Sequence, residues 1–314
     1  MTHARIAVVL ALAIAATACG SSAPTQGSVA VPSPTPASAI AATATPTAAP
    51  TAAATTAPTA KPTPEPDYDK QPDVPDDVDA YIKVCIQTER AIRDLNITGK
   101  KLTWYGWRQH LCYGQISDFP DFADPFIAAA PEDLRPAVKD NINAGKELRR
   151  LKGPTPKTFP DWKIVEAKPI DALMGFYKEA EAKYGVHWSY LAAINLVETR
   201  MGRIRGLSSA GAQGPMQFMP GTWAAYGTGD VNDERDAIMG AANYLKASGA
   251  PKDMDRALFA YNRHIGYVNA IKLYADVMRR DESAYRGYHG WQVYYPTVKG
   301  IFHLAPGWTK PADD

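Results

Sequence analysis

Glu198 stands in the stretch from Tyr190 to Gly227, YLAAINLVETRMGRIRGLSSAGAQGPMQFMPGTWAAYG, just ahead of a glycine-rich loop. At about 100° per residue, Leu191, Ile194 and Met201 fall within roughly 60° of it, so this carboxyl shares a helical stripe expected to face a core. Losing water penalises the charged form of a carboxyl, raises its pKa toward neutrality and makes it able to donate a proton near pH 7. A structural alternative is a glutamate at a fraying helix end, or one paired with Arg200, Arg203 or Arg205. The loop that follows, residues 206–221, carries Gly206, Gly211, Gly214 and Gly221 among Ser208, Ser209, Gln213, Gln217 and Pro220. Glycine admits close approach of the backbone, and hydroxyl and amide groups can bond sugar hydroxyls and acetamido groups, a lining suited to a neutral polar polymer. Further on, Tyr261 and Asn262 put a phenol and an amide at a predicted helix end, where both could be aimed at the same cleft.

The elements that must position these groups read as helices. Strand-like alternation is scarce before the C-terminus and helical periodicity recurs, so the class is mainly α. A first helix is predicted over Asp77 to Leu95 and another over Pro131 to Leu151, with Leu134, Val138, Ile142 and Leu148 on one side and Gly153-Pro154 closing it. Between them lies an aromatic stretch around Trp104, Tyr105 and Trp107, to which the periodicity assigns no element. Residues 67–164 therefore read as an N-terminal helical subdomain ending in a connector, Thr155 to Ile164, punctuated by Pro156 and Pro160. Residues 165–314 read as a second unit. It has helices over Asp171 to Tyr184, around Glu198, over Asp236 to Ala247 with Asp236 as N-cap, over Asp255 to Asn262 and over Tyr267 to Arg280. The tail from Tyr288 to Trp308, rich in Tyr, Val and Trp, is expected to add a short β-hairpin.

The N-terminus places this unit in a compartment. A basic start, Met1-Thr2-His3-Ala4-Arg5, an apolar run from Ile6 to Ala15 and small residues before Cys19 have the parts of a secretory signal, residues 1–18. The apolar run is far shorter than the roughly 20 residues of a spanning helix. The pattern resembles a bacterial lipobox, which implies that the chain is cut before Cys19 and anchored through a diacylglycerol on that thiol. Residues 19–66 are mostly Ala, Thr, Pro and Ser, cannot bury a core, and at about 3.1 Å per residue would reach on the order of 140 Å. A formal net charge of +1 and the lack of a basic run argue against a nucleic-acid partner. Cys85 and Cys112 are the remaining cysteines, and an even pair in an exported chain suggests a disulfide. Cys85 also sits on the helical stripe Val78, Tyr81, Ile82, Cys85, where a buried free thiol would pack well. The six histidines form no HExxH or comparable spacing, so neither a metal nor another cofactor is expected.

Taken in order, Glu198, then Ser208-Ser209-Ala210-Gly211-Ala212-Gln213-Gly214-Pro215-Met216-Gln217 with Pro220, then Ala260-Tyr261-Asn262, resemble the soluble-type lytic transglycosylase (SLT) domain. The resemblance covers about Pro169 to Arg279. It implies a goose-lysozyme-like helical catalytic domain and non-hydrolytic cleavage of peptidoglycan between N-acetylmuramic acid and N-acetylglucosamine, leaving a 1,6-anhydro end. Glu198 is then the catalytic acid and base. Ser208, Ser209, Gln213, Gly214, Met216, Gln217, Tyr261 and Asn262 are substrate-binding, with Tyr261 bonding the sugar or Glu198. The chain departs from the family pattern in Thr199 for the serine after the glutamate, in Pro215 for a leucine, and in a longer interval before Ser208, which leaves two candidates, Ser208 and Ser209, for the site serine. Such an enzyme would sit in the cell envelope, outside the cytoplasm, with glycan strands, the membrane and cell-wall assembly or division proteins as partners. Two other functions fit the same residues. One is a lysozyme-type hydrolase using Asp230, Asp233 or Asp236 to activate water. The other is an inactive wall-binding lipoprotein.

Overall fold

The computed structural model describes residues 65–312. The expected signal peptide, Cys19 and all but the last two residues of the 19–66 segment lie outside the described residues. The described chain is mainly helical. α1 (Val78–Arg93) starts at Asp77, whose carboxylate accepts the Ala80 N–H at 2.9 Å and so satisfies one of the donors a helix start leaves open. Its buried stripe, Tyr81, Cys85, Thr88, Glu89 and Ile92, follows the 3.6-residue period.

The aromatic stretch around Trp104 is itself a helix, α2 (Gly99–Gln115). Its apolar period is weak in the sequence because its inner face mixes apolar residues with Gly106, Gln109 and His110. Gly106 is needed for contact: a Cβ there would lie 2.5 Å from the Gly287 carbonyl, where α2 crosses α11 (Ala284–His289) backbone to backbone. Cys85 and Cys112 are joined in a disulfide, with Cα atoms 5.9 Å apart, that ties α1 to α2. The Tyr81 hydroxyl donates to the Cys112 carbonyl at 2.8 Å beside it.

The short α3 (Ala123–Ala129) leads to α4 (Arg135–Arg149). After the connector come α5 (Ile170–Tyr184), α6 (Trp188–Thr199), α7 (Pro220–Tyr226), α8 (Glu234–Ala247), α9 (Met254–Tyr261) and α10 (Ile265–Arg280). α10 packs on both α4 and α6, and α5 packs on α6 and α8. One buried cluster therefore runs from Tyr81, Phe126 and Val138 through Leu191 and Tyr267 to Tyr288. The start of α8 differs from expectation: Asp233, not Asp236, is the N-cap, accepting the Asp236 N–H at 3.0 Å.

Two small antiparallel pairs complete the fold. β1 (Lys163–Ile164) pairs with β2 (Ile204–Arg205), tying the connector to the chain just before the glycine-rich loop. β3 (Val293–Thr297) and β4 (Gly300–Leu304) form the C-terminal hairpin. Trp162, Ile164, Ile204, Val293 and Leu304 make a second, smaller core between these strands.

Candidate active site

α6 is buried around its whole circumference, not along one stripe, because α5, α8, α10 and α11 pack against it. Glu198 is the one residue of its twelve that is only partly buried. The Tyr267 hydroxyl, in the first turn of α10, donates to Glu198 Oε1 at 2.8 Å. Burial pushes the Glu198 carboxyl up to about 8, and the Tyr267 hydrogen bond pulls the other way. Burial and the neighbouring Glu198 charge hold Tyr267 well above the usual phenol range, so it remains a donor.

The three arginines lead elsewhere. Arg200 donates to the Leu196 carbonyl at 2.6 Å, and Arg203 to the Arg200 carbonyl at 3.2 Å. Arg205 pairs with buried Glu234. Burial lowers the Arg200 and Arg203 guanidinium groups to about 10. The acid is thus set by desolvation and a neutral donor, not by a cation. Immediately after it the chain takes three consecutive left-handed residues, Arg200 at φ 54°, Met201 at 61° and Gly202 at 79°. For non-glycine residues that conformation costs about 1–2 kcal/mol each, and it ends α6 one residue beyond Glu198.

The loop is held against α6 by polar bonds that the sequence reading missed. Asn195 Nδ2 and Thr199 Oγ1 both donate to the Pro215 carbonyl, at 2.9 and 2.6 Å. The Tyr177 hydroxyl of α5 donates to Asn195 Oδ1 at 2.6 Å, and the Gly202 N–H reaches Thr199 Oγ1 at 3.0 Å. Asn195 and Thr199 stand four apart on one side of a largely apolar helix, the visible trace of this network. Thr199, a departure from the family's serine, keeps the hydroxyl and serves as the loop anchor.

Within the loop, buried Ser208 staples its own turn, its Oγ accepting the Ala210 and Ala212 N–H groups at 3.2 and 3.0 Å. Ser209 is exposed. Gln213 and Phe218 exchange both backbone bonds, at 2.9 and 2.8 Å, closing a turn in which Gln217 adopts φ 51° and bonds the Gly214 carbonyl through Nε2 at 3.0 Å. Gly214, at φ +74°, has no room for a side chain: a Cβ would lie 1.9 Å from the Val231 carbonyl. The closeness that glycine permits here is to the protein's own backbone. Met216 is fully buried, so its side chain is a core anchor and not the substrate contact expected of it. Its carbonyl accepts the Tyr261 hydroxyl at 2.6 Å.

Tyr261 stacks parallel on Tyr267, with interplanar angle 5° and centroids 6.5 Å apart. Of the two contacts expected for Tyr261, the one to Glu198 belongs to Tyr267, one turn into the next helix. Asn262 caps the end of α9 and is buried. Asp230, Asp233 and Asp236 are engaged with the backbone of their own segment. Asp230 Oδ1 accepts the Asn232 N–H at 2.9 Å, Asp233 caps α8, and Asp236 Oδ2 accepts the Asp230 N–H at 3.0 Å.

Among the described residues, no group of three or more His, Cys, Asp or Glu side chains is placed to hold a metal ion. No solved structure matches the chain significantly. The family model described as Transglycosylase SLT domain matches residues 175–281, a span that contains Tyr177, all of α6, the glycine-rich loop and the Tyr261–Tyr267 pair. Residues 175–281 are therefore a soluble lytic transglycosylase-type domain, lysozyme-like in fold, whose family acts on peptidoglycan.

Proposed function

We propose that the chain is a peptidoglycan lytic transglycosylase that cleaves the β-1,4 bond between N-acetylmuramic acid and N-acetylglucosamine without water. The observation that carries this is the setting of Glu198: the only opening in a buried helix, a carboxyl raised to about 8, and a tyrosine as its partner. Such a group is protonated at neutral pH, and with Oε1 engaged by Tyr267 the proton is carried on Oε2. Glu198 gives that proton to the glycosidic oxygen as the bond to the anomeric carbon breaks. The resulting carboxylate takes the proton of the muramic C6 hydroxyl as that oxygen bonds the same carbon, closing the 1,6-anhydro ring. One proton leaves the acid and one returns, so a single carboxyl suffices, where hydrolysis would call on a second. Gln217, Ser209 and Tyr261 would position the strand. In this reading Cys19 carries the lipid anchor and residues 19–66 let the domain reach peptidoglycan from the membrane surface.

Mass spectrometry of digested peptidoglycan tests it. Anhydro-muramic products that disappear in Glu198→Gln are expected. Products with free reducing ends and no anhydro species would mean a lysozyme-type hydrolase instead.

A further inference from the structure

A cavity of about 680 Å³ opens between the connector, the start of the glycine-rich loop and the Tyr295–Pro296 edge of β3. That volume is within the about 300–1,000 Å³ typical of small-ligand sites. Apart from Leu207, Ser208 and Ser209, its walls lie outside the residues that match the family model. Phe159 and Tyr295 present half-buried rings with centroids 6.0 Å apart. Trp162 is fixed beneath them by an edge contact to Tyr295 at 5.3 Å and by an indole N–H donated to the Leu207 carbonyl at 3.1 Å.

The chemistry of this lining is amphipathic and close to neutral. Exposed hydroxyls of Thr155, Thr158 and Ser209 stand around the rings, and Lys152 and Asp161 contribute one charge of each sign. A pyranose meets both demands, laying its C–H face on a ring and its hydroxyl and acetamido edge against side-chain hydroxyls. A peptide is served poorly, because extended peptides bind through backbone partners and the prolines at 154, 156 and 160 offer no N–H. One loop contributes both to this cavity and to the setting of the acid site. Its wall ends at Ser208–Ser209, and the same loop continues through the Gln213–Phe218 bonds to Met216, whose carbonyl holds Tyr261.

We propose that this cavity is a distal subsite for an N-acetylated sugar of the same glycan strand whose scissile bond is presented to Glu198, an assignment that rests on the function proposed above. The test is an NMR titration of the full-length Glu198→Gln protein with tetra-N-acetylchitotetraose, which reads binding without turnover. The amides of Ser209 and Tyr295 are expected to shift on saturation. Adding Tyr295→Ala or Thr158→Trp should weaken that response about tenfold, whereas Tyr295→Phe, which keeps the ring, should retain it. Thr158 is exposed, so its variant blocks the mouth without touching the core. Absence of any shift at Ser209 and Tyr295, or undiminished binding in both blocking variants with parent-like thermal unfolding, overturns the assignment. So does a response to a free peptide stem in place of the sugar. Because turnover is not measured, a negative result here leaves the reaction at Glu198 standing, while absence of anhydro products from the parent protein's digest overturns that reaction and not the titration.

Discussion

Replacing Glu198 by glutamine should abolish turnover and, at the same time, stabilise the protein in a pH-dependent way. The carboxyl rises from its ordinary 4.5 to about 8 on folding. Above pH 4.5 the unfolded chain ionises this group while the folded protein keeps it protonated up to about pH 8, so the native state loses stability across that window. At about 1.4 kcal/mol per pH unit the ceiling is about 5 kcal/mol at pH 8. Glu198 keeps some contact with solvent, and water at that face reduces the expected gain to about 2–3 kcal/mol. Glutamine retains a carbonyl to accept the Tyr267 hydroxyl and carries no charge to desolvate. Thermal unfolding followed by circular dichroism should therefore show Glu198→Gln melting roughly 5–10 °C above the parent at pH 8, and level with it at pH 4. A variant that melts at or below the parent at pH 8, or that gains equally at both pH values, would refute desolvation as the cause of the raised acid.

Two further substitutions follow from the same geometry. Tyr267→Phe removes the donor that opposes desolvation, so the Glu198 carboxyl should rise further, by about one pH unit once water replaces part of the bond. The alkaline limb of kcat/KM, which reports the protonated free enzyme, should move up by that amount, and an unmoved limb would count against Tyr267 as the partner. Gly214→Ala must fit a methyl 1.9 Å from the Val231 carbonyl at φ +74°, so it should cost at least about 2–3 kcal/mol. A parent-like melting temperature would show that the loop has more freedom than this packing allows.

The helical class was legible because α5, α8 and α10 each expose one polar face and so keep the 3.6-residue signal. α2 was not legible, since the partners of Gly106, Gln109 and His110 are contacts with α11, Glu89 and Trp291, distant in sequence. The same distinction divides the site. Glu198, Ser208, Gln217 and Tyr261 are nominated as candidates by their order along the chain. Tyr267 is not, although it makes the hydrogen bond that matters most. Nothing in Tyr267-Val268-Asn269 marks a residue whose hydroxyl reaches Glu198, 69 positions earlier. Asp233 and Asp236 were interchanged as the α8 cap because both are good capping residues three apart, and only the backbone distinguishes them.

The full burial of α6 changes what makes Glu198 an acid. A carboxyl on the apolar stripe of a surface helix would keep water on its flanks and a choice of cationic neighbours. Here α5, α8, α10 and α11 remove much of that water, and Arg200 and Arg203 donate to main-chain carbonyls. In a continued helix Met201 and Gly202, not an arginine, would be the i+3 and i+4 neighbours of Glu198. The left-handed residues Arg200 and Met201 cost about 1–2 kcal/mol each, and they end α6 one residue beyond the group proposed as the acid.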